Sequence, residues 1–485
     1  MNFRDRIAVG LTKMIYPHLQ DYTKIRGGNM PKKVLEYEQY KLQEKYLWFV
    51  GDEDLLADYY QTNTSSFGVI NTRASYYYTN VTDKVRVVHS GMPSLISHGK
   101  ARLVTNSDVE ISVINGKDVD EKQTELLNVI LEDNSFDRLL YTSILIQSWA
   151  IRFAWKIGYD KNLTKYPLIE KYTPFNYETI EERGRALGYI FKTDYGECNE
   201  KYQLHEIYTS GLIDYKLYKI VRNELVDVPL TTLEETKELE PFKFKGNFIM
   251  AGEFKGIKSD YDGVIAEFDA LDEAWSQLMD EIRTGRAEVY VPEVLATGKK
   301  FDDFRKKYVV TGTDPRENGK NEISHNQSAI RTDEYTKAIN SITYNILANA
   351  GLNPLTIGIN DEAGANASQE ALMQREVTSL RTRKSLVKVF EEFLVPMCNK
   401  ILKADDVFNK RTPVDRELSV SFGEYIPPDR NTRIEQTAKM VDFDIIDQEK
   451  ALDDIYGEEL TEDEKSRILR NMGEQILIPE EEVKE

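Results

Sequence analysis

The segment 254–292 constrains the fold more than any other part of the chain, because a regular amphipathic helix runs directly into an alternating strand. Its apolar residues recur at intervals of four and three, the spacing of a face that packs against other helices. These residues, called the seam below, are Val264, Phe268, Leu271, Trp275, Leu278 and Ile282. The other faces carry carboxylates, and no Lys or Arg lies between Asp260 and Arg283. The pattern predicts a helix that packs on one side and presents negative charge on the other.

The length and charge of the chain limit what it can be. At 485 residues it has material for more than one folding unit. Its formal net charge of -19 argues against a protein that grips nucleic acid over its whole surface, because such binding comes from phosphate neutralisation. The charge does not exclude a protein past which nucleic acid slides. Cys198 and Cys398 lie far apart, and both are predicted to be buried apolar residues in a reducing compartment.

No part of the sequence predicts a membrane partner. The least charged run, residues 139–151, is bracketed by Arg138 and Arg152 and is shorter than the roughly 20 residues that a span needs. It predicts a buried helix. The first twenty residues carry charges on both sides of a short apolar patch and lack a small-residue cleavage site, so no signal peptide is expected.

The first half of the chain divides into a part with helical spacing of apolar residues and a part with strand-like runs. Residues 30–60 and 84–150 show helical spacing, with a break between two helices near Asn134 and Ser135. From residue 151 to about 249 the pattern changes to short runs rich in Tyr, Ile, Val and Phe, separated by turn residues. These runs predict an antiparallel meander.

The second half continues from the acidic helix. A strand at 289–292 leads into an insert rich in Gly, Lys and Asn at 296–327. A second helix is predicted from Arg331 to Ala350, ending at Gly351 and lying antiparallel to the first. In the loop that follows, Pro354, Gly358 and Gly364 are expected to prevent regular structure.

A long helix is predicted from Gln369 to about Lys403, with a kink at Pro396. Its first half is basic and contains Arg375, Arg381, Arg383, Lys384 and Lys388. A final strand follows, and the last sixty or so residues have the start signals of helices, such as the capping box of Thr461 and Glu464.

Catalytic and metal-binding patterns are not found, and we predict no catalytic residue, metal ligand or cofactor. The segment 312–320 has the wrong glycine spacing for a phosphate loop, and Asn321 stands where Ser or Thr should bind magnesium. The acids at 52–58 lack the glycine of a calcium loop and lie in a helical pattern. The five histidines are scattered, and none adjoins a nucleophile in a known motif.

Several segments, in order, resemble the portal proteins of tailed bacteriophages, particularly the siphovirus type with long non-contractile tails. The acidic helix region carries Gly256, Ser259, Tyr261, Leu271-Asp272, Glu281-Ile282, Gly285-Arg286 and Val291-Pro292. Residues 204–220 resemble the wing meander of that family, 352–386 its tunnel loop and long helix, and 420–457 its ending. The start of the helix after the loop departs from the Thr-Ala-Thr-Glu type that many relatives carry.

The resemblance implies an α+β portal-type fold with a mixed wing domain, a two-helix stem, a small clip, a long kinked helix and a helical C-terminal crown. The implied boundaries are 1–258 for the wing, 259–286 for stem helix 1, 287–330 for the clip, 331–350 for stem helix 2, 351–368 for the tunnel loop, 369–428 for the long kinked helix and wing strand, and 429–485 for the crown.

The implied function is structural. Portal proteins form a ring, typically a homododecamer, at one capsid vertex in the virion. Double-stranded DNA is packaged through it by a terminase and is later ejected past a head-tail adaptor. The implied partners are therefore further copies of the chain, DNA in transit, terminase, adaptor, and the major capsid and scaffolding proteins, with assembly in the host cytoplasm.

The resemblance also implies roles for particular residues. The seam would pack the stem, partly across subunits, and its acidic face would repel phosphate. The tunnel loop at the channel would include Gly358, Asn360, Asp361, Glu362 and Asn366. The clip, which meets terminase and adaptor, would include the cations Lys299, Lys300, Arg305, Lys306 and Lys307.

Two other functions stay open from the residues alone. The first is a non-viral cytosolic oligomeric scaffold whose acidic helical pair docks a partner. The second is a hydrolase whose carboxylates gather in space. Size-exclusion chromatography separates these cases, because a portal gives a ring many times the 56.0 kDa subunit mass.

Overall fold

Helices and antiparallel sheets are mixed along the chain, which confirms the α+β class. The computed structural model describes residues 32–63, 75–79, 87–116, 118–196, 200–221, 224–285, 288–292, 307–311, 324–326, 330–359 and 369–423, together with Thr437 and Arg467. The chain divides into two compact units, Met1–Phe422 and Gly423–Glu485. Apart from Thr437 and Arg467, the predicted crown lies outside the described residues.

The first unit contains nine helices and fifteen strands among the described residues. The helices are α1 (Lys32–Val50), α2 (Glu53–Asn63), α3 (Tyr76–Thr79), α4 (Met92–Thr105), α5 (Glu121–Asp133), α6 (Phe136–Ala150), α7 (Ile265–Thr284), α8 (Thr332–Ala350) and α9 (Gln369–Phe408). The strands are β1 (Val109–Asn115), β2 (Asp118–Val119), β3 (Arg152–Gly158), β4 (Leu168–Tyr172), β5 (Tyr177–Glu182), β6 (Arg185–Tyr195), β7 (Tyr202–Thr209), β8 (Leu212–Val221), β9 (Glu224–Val228), β10 (Phe242–Lys243), β11 (Ala251–Lys255), β12 (Glu288–Pro292), β13 (Lys307–Thr311), β14 (Ser324–Asn326) and β15 (Glu417–Phe422).

The predicted break between two helices is confirmed where α5 gives way to α6. Ser135 adopts a left-handed conformation with φ 50°, which a continuous helix does not allow. The Asn134 side chain fixes the corner, because its Nδ2 donates to Ile130 O and its Oδ1 accepts from Ile169 N. Helix α6 contains most of the apolar run 139–151 and is largely buried, as predicted. Among the described residues, no helix is long and apolar enough to cross a membrane.

The predicted meander is confirmed by strands β5 to β8, which pair antiparallel in sequence order. Strands β9 and β10 both pair with β8. Gly211, with φ 75°, makes the tight turn between β7 and β8 that the Thr209-Ser210-Gly211 sequence predicts. Strands β11, β3 and β4 form a separate sheet.

The helical prediction for residues 84–150 is wrong between α4 and α5. Strands β1 and β2 occupy that stretch, and β1 pairs antiparallel with β15 from the far end of the unit, Val109 opposite Phe422. Residues Ile111 and Val113 of β1 are buried, whereas Glu110 is exposed. This alternation has the period of two that a strand requires.

The two predicted stem helices are present as α7 and α8. Helix α7 begins at Ile265 rather than at residue 259, because Gly263 adopts φ 88° and interrupts helical geometry just before it. Helix α8 ends at Gly351, whose φ of 68° gives the predicted left-handed stop.

The loop after α8 is more regular than expected. Residues Pro354–Ile357 form a 3₁₀ helix, with the Asn353 side chain accepting from Leu355 N, so the prediction that Pro354 and Gly358 exclude regular structure is wrong here. Helix α9 then continues through Pro396 to Phe408, five residues beyond the predicted end. The predicted kink at Pro396 stays a prediction.

Helix α9 packs on strand β11 through aromatic rings. Phe390 stacks on Phe254 with ring centroids 4.7 Å apart, and Phe254 stacks on Phe153 of β3 at 5.0 Å. A Cβ on Gly252 would lie 2.9 Å from Met397 Sδ, so glycine permits the close approach of helix and strand.

Cys398 lies on the buried side of α9 and is a free thiol, as predicted; burial raises its pKa to about 12, so it is an inert apolar side chain. Cys198 lies outside the described residues.

Lys400 of α9 is a sensitive point in this packing. Its Nζ donates to Ala251 O at 2.7 Å. Burial, and then the charge of Lys403, lowers the pKa of Lys400 from 10.5 to about 8. The unfolded chain therefore binds more protons than the folded chain between pH 8 and 10.5, so this lysine makes stability rise with pH across that window.

We expect Lys400→Met to remove this contribution. The measured quantity is the free energy of unfolding of the variant minus that of the parent. This difference should fall by up to roughly 3 kcal/mol as pH rises from 8 to 10.5, because the parent gains stability over that range. Urea denaturation of both proteins at several pH values measures the difference. Lys161→Met, at an exposed loop position, is the control. A parent-to-variant difference that is flat with pH would contradict the assignment.

Candidate functional site

Helix α7 and its surroundings form the candidate site, because all six predicted seam residues lie on this helix or at its start. Four seam residues are buried: Val264, Phe268, Leu271 and Leu278. The Phe268 ring lies 5.8 Å from the Trp48 ring of α1 and 5.4 Å from that of Tyr261. The first half of the seam therefore packs on the N-terminal helices of its own chain.

The other two seam residues are not buried within one subunit. Trp275 is 37% exposed and Ile282 is 42% exposed. Met279, which lies between them at helical spacing, is 48% exposed. These three residues, called the apolar stripe below, give the second half of α7 an uncovered apolar face in the single chain.

Two carboxylates of α7 are buried and bind the segment that precedes α4. Asp269 Oδ1 accepts from Ser75 Oγ and its Oδ2 from Tyr76 N, both at 2.9 Å. Asp272 Oδ1 accepts from Ser90 N at 2.8 Å. Its Oδ2 accepts from Tyr77 OH at 2.7 Å and from His89 Nδ1 at 2.8 Å.

A third polar residue of α7 completes this attachment. Ser276 Oγ accepts from Val88 N at 2.9 Å and donates to Asp272 O. Burial, followed by the charge of Asp272, raises the pKa of Tyr77 far above its ordinary value, so the phenol stays a donor. Asp269, Asp272 and Ser276 follow one another at intervals of three and four, so one face of the helix holds two separate stretches of the chain.

The turn before α7 is also attached through its acids. Asp262 pairs with Lys45 of α1 at 2.6 Å, and Asp260 pairs with Lys100 of α4. Tyr261 OH donates to Pro93 O at 2.7 Å. Both lysines are largely buried, so these ion pairs connect the start of α7 to the helices beneath it rather than to solvent.

The prediction that this segment presents negative charge on the side away from the seam is therefore wrong for several of its acids. Carboxylates that bind partners in the same chain are Asp260, Asp262, Asp269, Asp272 and Glu281. The physical reason is that buried backbone N–H groups and lysines need acceptors. Sequence reasoning missed the donors Tyr77, His89 and Ser90. The signal that could have indicated them is the helical spacing of Asp269, Asp272 and Ser276 beside the seam.

Helices α7 and α8 form the predicted antiparallel pair. Gly285, at the end of α7, lies beside Ile330 at the start of α8. Glu281 Oε1 accepts from Arg331 Nε at 3.2 Å, and the Arg331 guanidinium lies 5.7 Å from the centre of the Tyr335 ring. Ile339 and Ile346 of α8 are buried.

Between the two helices in the chain lies a small mixed sheet. Strand β12 pairs parallel with β13 and antiparallel with β14. Lys307 is the first residue of β13, opposite Glu288. The other predicted clip cations, Lys299, Lys300, Arg305 and Lys306, lie outside the described residues. Two strands within the insert 296–327 were not predicted, since its composition has few apolar residues.

The predicted tunnel loop is described only at its start. Gly358 adopts φ 83° at the end of the 3₁₀ helix and donates its N–H to Leu355 O. Asn360, Asp361, Glu362 and Asn366 lie outside the described residues. The start of the loop is attached to α9 by two hydrogen bonds. Asn353 N donates to Ser379 Oγ at 2.8 Å, and Thr382 Oγ1 donates to Gly351 O at 2.7 Å.

Among the described residues, no group of His, Cys, Asp and Glu could hold a metal ion. Asp272 and His89 are close enough for acid–base chemistry, but the carboxylate is saturated by structural donors. What the arrangement does is position helices.

Comparisons with known proteins identify a matching family and similar solved chains. A family model described as "Phage portal protein, SPP1 Gp6-like" matches residues 37–476. No curated protein matches. Similar solved chains come from "Virion of native gene transfer agent (GTA) particle", at 11% identity and TM-score 0.41 over 76% of this chain and 94% of that chain. Another similar chain comes from "Neck of empty GTA particle computed with C6 symmetry". It has 10% identity and a TM-score of 0.43, over 77% of this chain and 96% of that chain.

Removing the buried carboxylate tests the attachment at α7. Asp272→Ala leaves Ser90 N–H, His89 Nδ1 and Tyr77 OH without their acceptor, so we expect a loss of at least about 3 kcal/mol in the free energy of unfolding. Urea denaturation followed by tryptophan fluorescence measures it. The neighbouring Glu273→Ala, at a partly exposed position, should change stability by less than about 0.5 kcal/mol. Equal effects of the two substitutions would contradict the assignment.

Proposed function

Because this chain belongs to the SPP1 Gp6-like family of phage portal proteins, we propose that it forms a ring at one capsid vertex and a channel for genome packaging and ejection. The observation that carries the proposal is the family match over residues 37–476, which includes the meander, both stem helices and α9. The family is structural, so the hydrolase alternative loses its support. A non-viral scaffold is likewise not favoured by any observation.

The exposed apolar stripe of α7 supports assembly into a ring. A single subunit leaves Trp275, Met279 and Ile282 in contact with water, although the first half of the same helix is well buried. A contiguous exposed apolar face typically marks a protein–protein interface. We assign the stripe to contact with a neighbouring subunit, in a ring of twelve copies.

The channel role concerns double-stranded DNA in transit. The net charge of -19 disfavours tight capture of phosphate, and translocation requires that DNA is not held tightly. We propose that residues 358–366 form a collar around the DNA, in which Asn360 and Asn366 make weak contacts that do not depend on base sequence. Asp361 and Glu362 would prevent tight binding.

The clip and wing would meet the other partners. Five cations lie within nine residues of an acidic chain, and we assign them to a surface for terminase during packaging and for the head-tail adaptor afterwards: Lys299, Lys300, Arg305, Lys306 and Lys307. The wing would contact the major capsid and scaffolding proteins. The protein would thus be a virion component at the portal vertex, assembled in the host cytoplasm.

Trp275→Asp tests the ring. A charge in the apolar stripe would be buried without a partner at each subunit contact, at a cost of several kcal/mol per site. We expect a folded subunit of about the monomer mass in mass photometry, where the parent gives a ring. Leu163→Asp, at a 74% exposed position between β3 and β4, is the control and should leave the ring intact. Rings of parental mass in the Trp275 variant would refute the interface.

Replacing residues 358–366 with a Gly/Ser linker of equal length tests the collar. We expect the ring and its incorporation into procapsids to persist, because the anchoring bonds at Asn353 and Thr382 lie outside the replaced residues. DNA packaging or retention should fall. Genome content per capsid is the measurement, and parental amounts would rule out the collar role.

A further inference from the structure

Three cations lie in a row on one face of helix α9, just after the loop. Arg381, Lys384 and Lys388 are exposed and are spaced by three and four residues, so they lie within one narrow arc of the helix. They span about 10 Å along the helix axis. We call them the basic stripe.

The basic stripe is not used to hold the fold together. In the described part of the chain, none of these three side chains forms an ion pair. Arg383, from the same basic run, behaves differently. It donates to Leu103 O at 2.8 Å and to Ser107 Oγ at 2.8 Å, and so joins α9 to the end of α4.

The residues that flank the basic stripe are polar. Thr378 and Ser385 are exposed hydroxyls on the same side of the helix. Lysine, arginine, serine and threonine are the side chains that commonly contact phosphate oxygens. The acids among residues 377–392 are Glu391 and Glu392, and both lie at the far end of this segment. One apolar residue, Val377, is exposed at the near end. A subunit interface would need a larger apolar core than this face offers.

We propose that the basic stripe contacts the phosphate backbone of double-stranded DNA inside the ring. The proposal rests on the proposed function, which supplies a duplex as the polyanion at residues 358–366, and α9 begins at Gln369, just after those residues. Duplex DNA carries one charge per about 1.7 Å of axis, so a row of cations about 10 Å long meets several phosphates in any register. The contact is independent of base sequence, because phosphates carry no sequence information.

The test is duplex binding by purified rings. A labelled duplex of about 30 base pairs with random sequence is titrated at several salt concentrations, and fluorescence anisotropy gives the affinity. Joint replacement Arg381→Gln, Lys384→Gln and Lys388→Gln should weaken binding at least about tenfold at low salt and reduce the salt slope by about two to three. The charge-conserving set Arg381→Lys, Lys384→Arg and Lys388→Arg should bind as the parent does.

A matched control removes the same charge elsewhere. Lys161→Gln, Lys216→Gln and Lys243→Gln alter exposed positions in and beside the sheets and should leave affinity unchanged. Unchanged binding by the stripe variant, or an equal loss in the control, overturns the proposal. Loss of the ring in the stripe variant alone also overturns it, since the cations would then hold subunits together. Failure of the parent to form rings in mass photometry would instead refute the proposed function.

Discussion

The rest of the structure depends on the buried carboxylate of Asp272. A carboxylate without solvent is tolerated only when donors surround it, and here the donors are Ser90 N, Tyr77 OH and His89 Nδ1. This requirement fixes where α7 starts relative to the N-terminal helices. Helix α8 is then attached to α7 through Glu281 and Arg331. Helix α9 is attached to the turn after α8 by the bonds of Ser379 and Thr382, and it packs on β11 through Phe390.

Helix α7 serves two purposes along its length. Up to about Ser276 it packs within its own subunit, through Phe268 on one face and its buried acids on another. From Trp275 onward the apolar stripe of Trp275, Met279 and Ile282 is left uncovered. A helix whose first half is immobilised presents its second half in a defined direction, because a helix transmits orientation along its axis. Rigid attachment within the subunit would thus make the proposed contact between copies reproducible.

Local patterns predicted much of the fold. The seam spacing indicated the pair α7 and α8, the Asn134-Ser135 break separated α5 from α6, and the turn at Gly211 placed β7 beside β8. What could not be predicted depends on distant partners. The burial of Asp269 and Asp272 requires donors nearly 200 residues away, and an acidic residue on a helix is normally solvated. Strand β1 was hidden in a helical stretch because its partner β15 lies some 300 residues later.

That pairing of β1 with β15 also governs when the subunit can be finished. Val109 lies opposite Phe422, so the sheet cannot close until almost the whole first unit has been synthesised. Until then β1 has an unpaired edge, and such edges readily pair with the wrong chain. On a polysome, neighbouring nascent chains expose the same edge at the same stage. Completion of this sheet is therefore a timing step, because the first unit can close only after residue 422 has been synthesised.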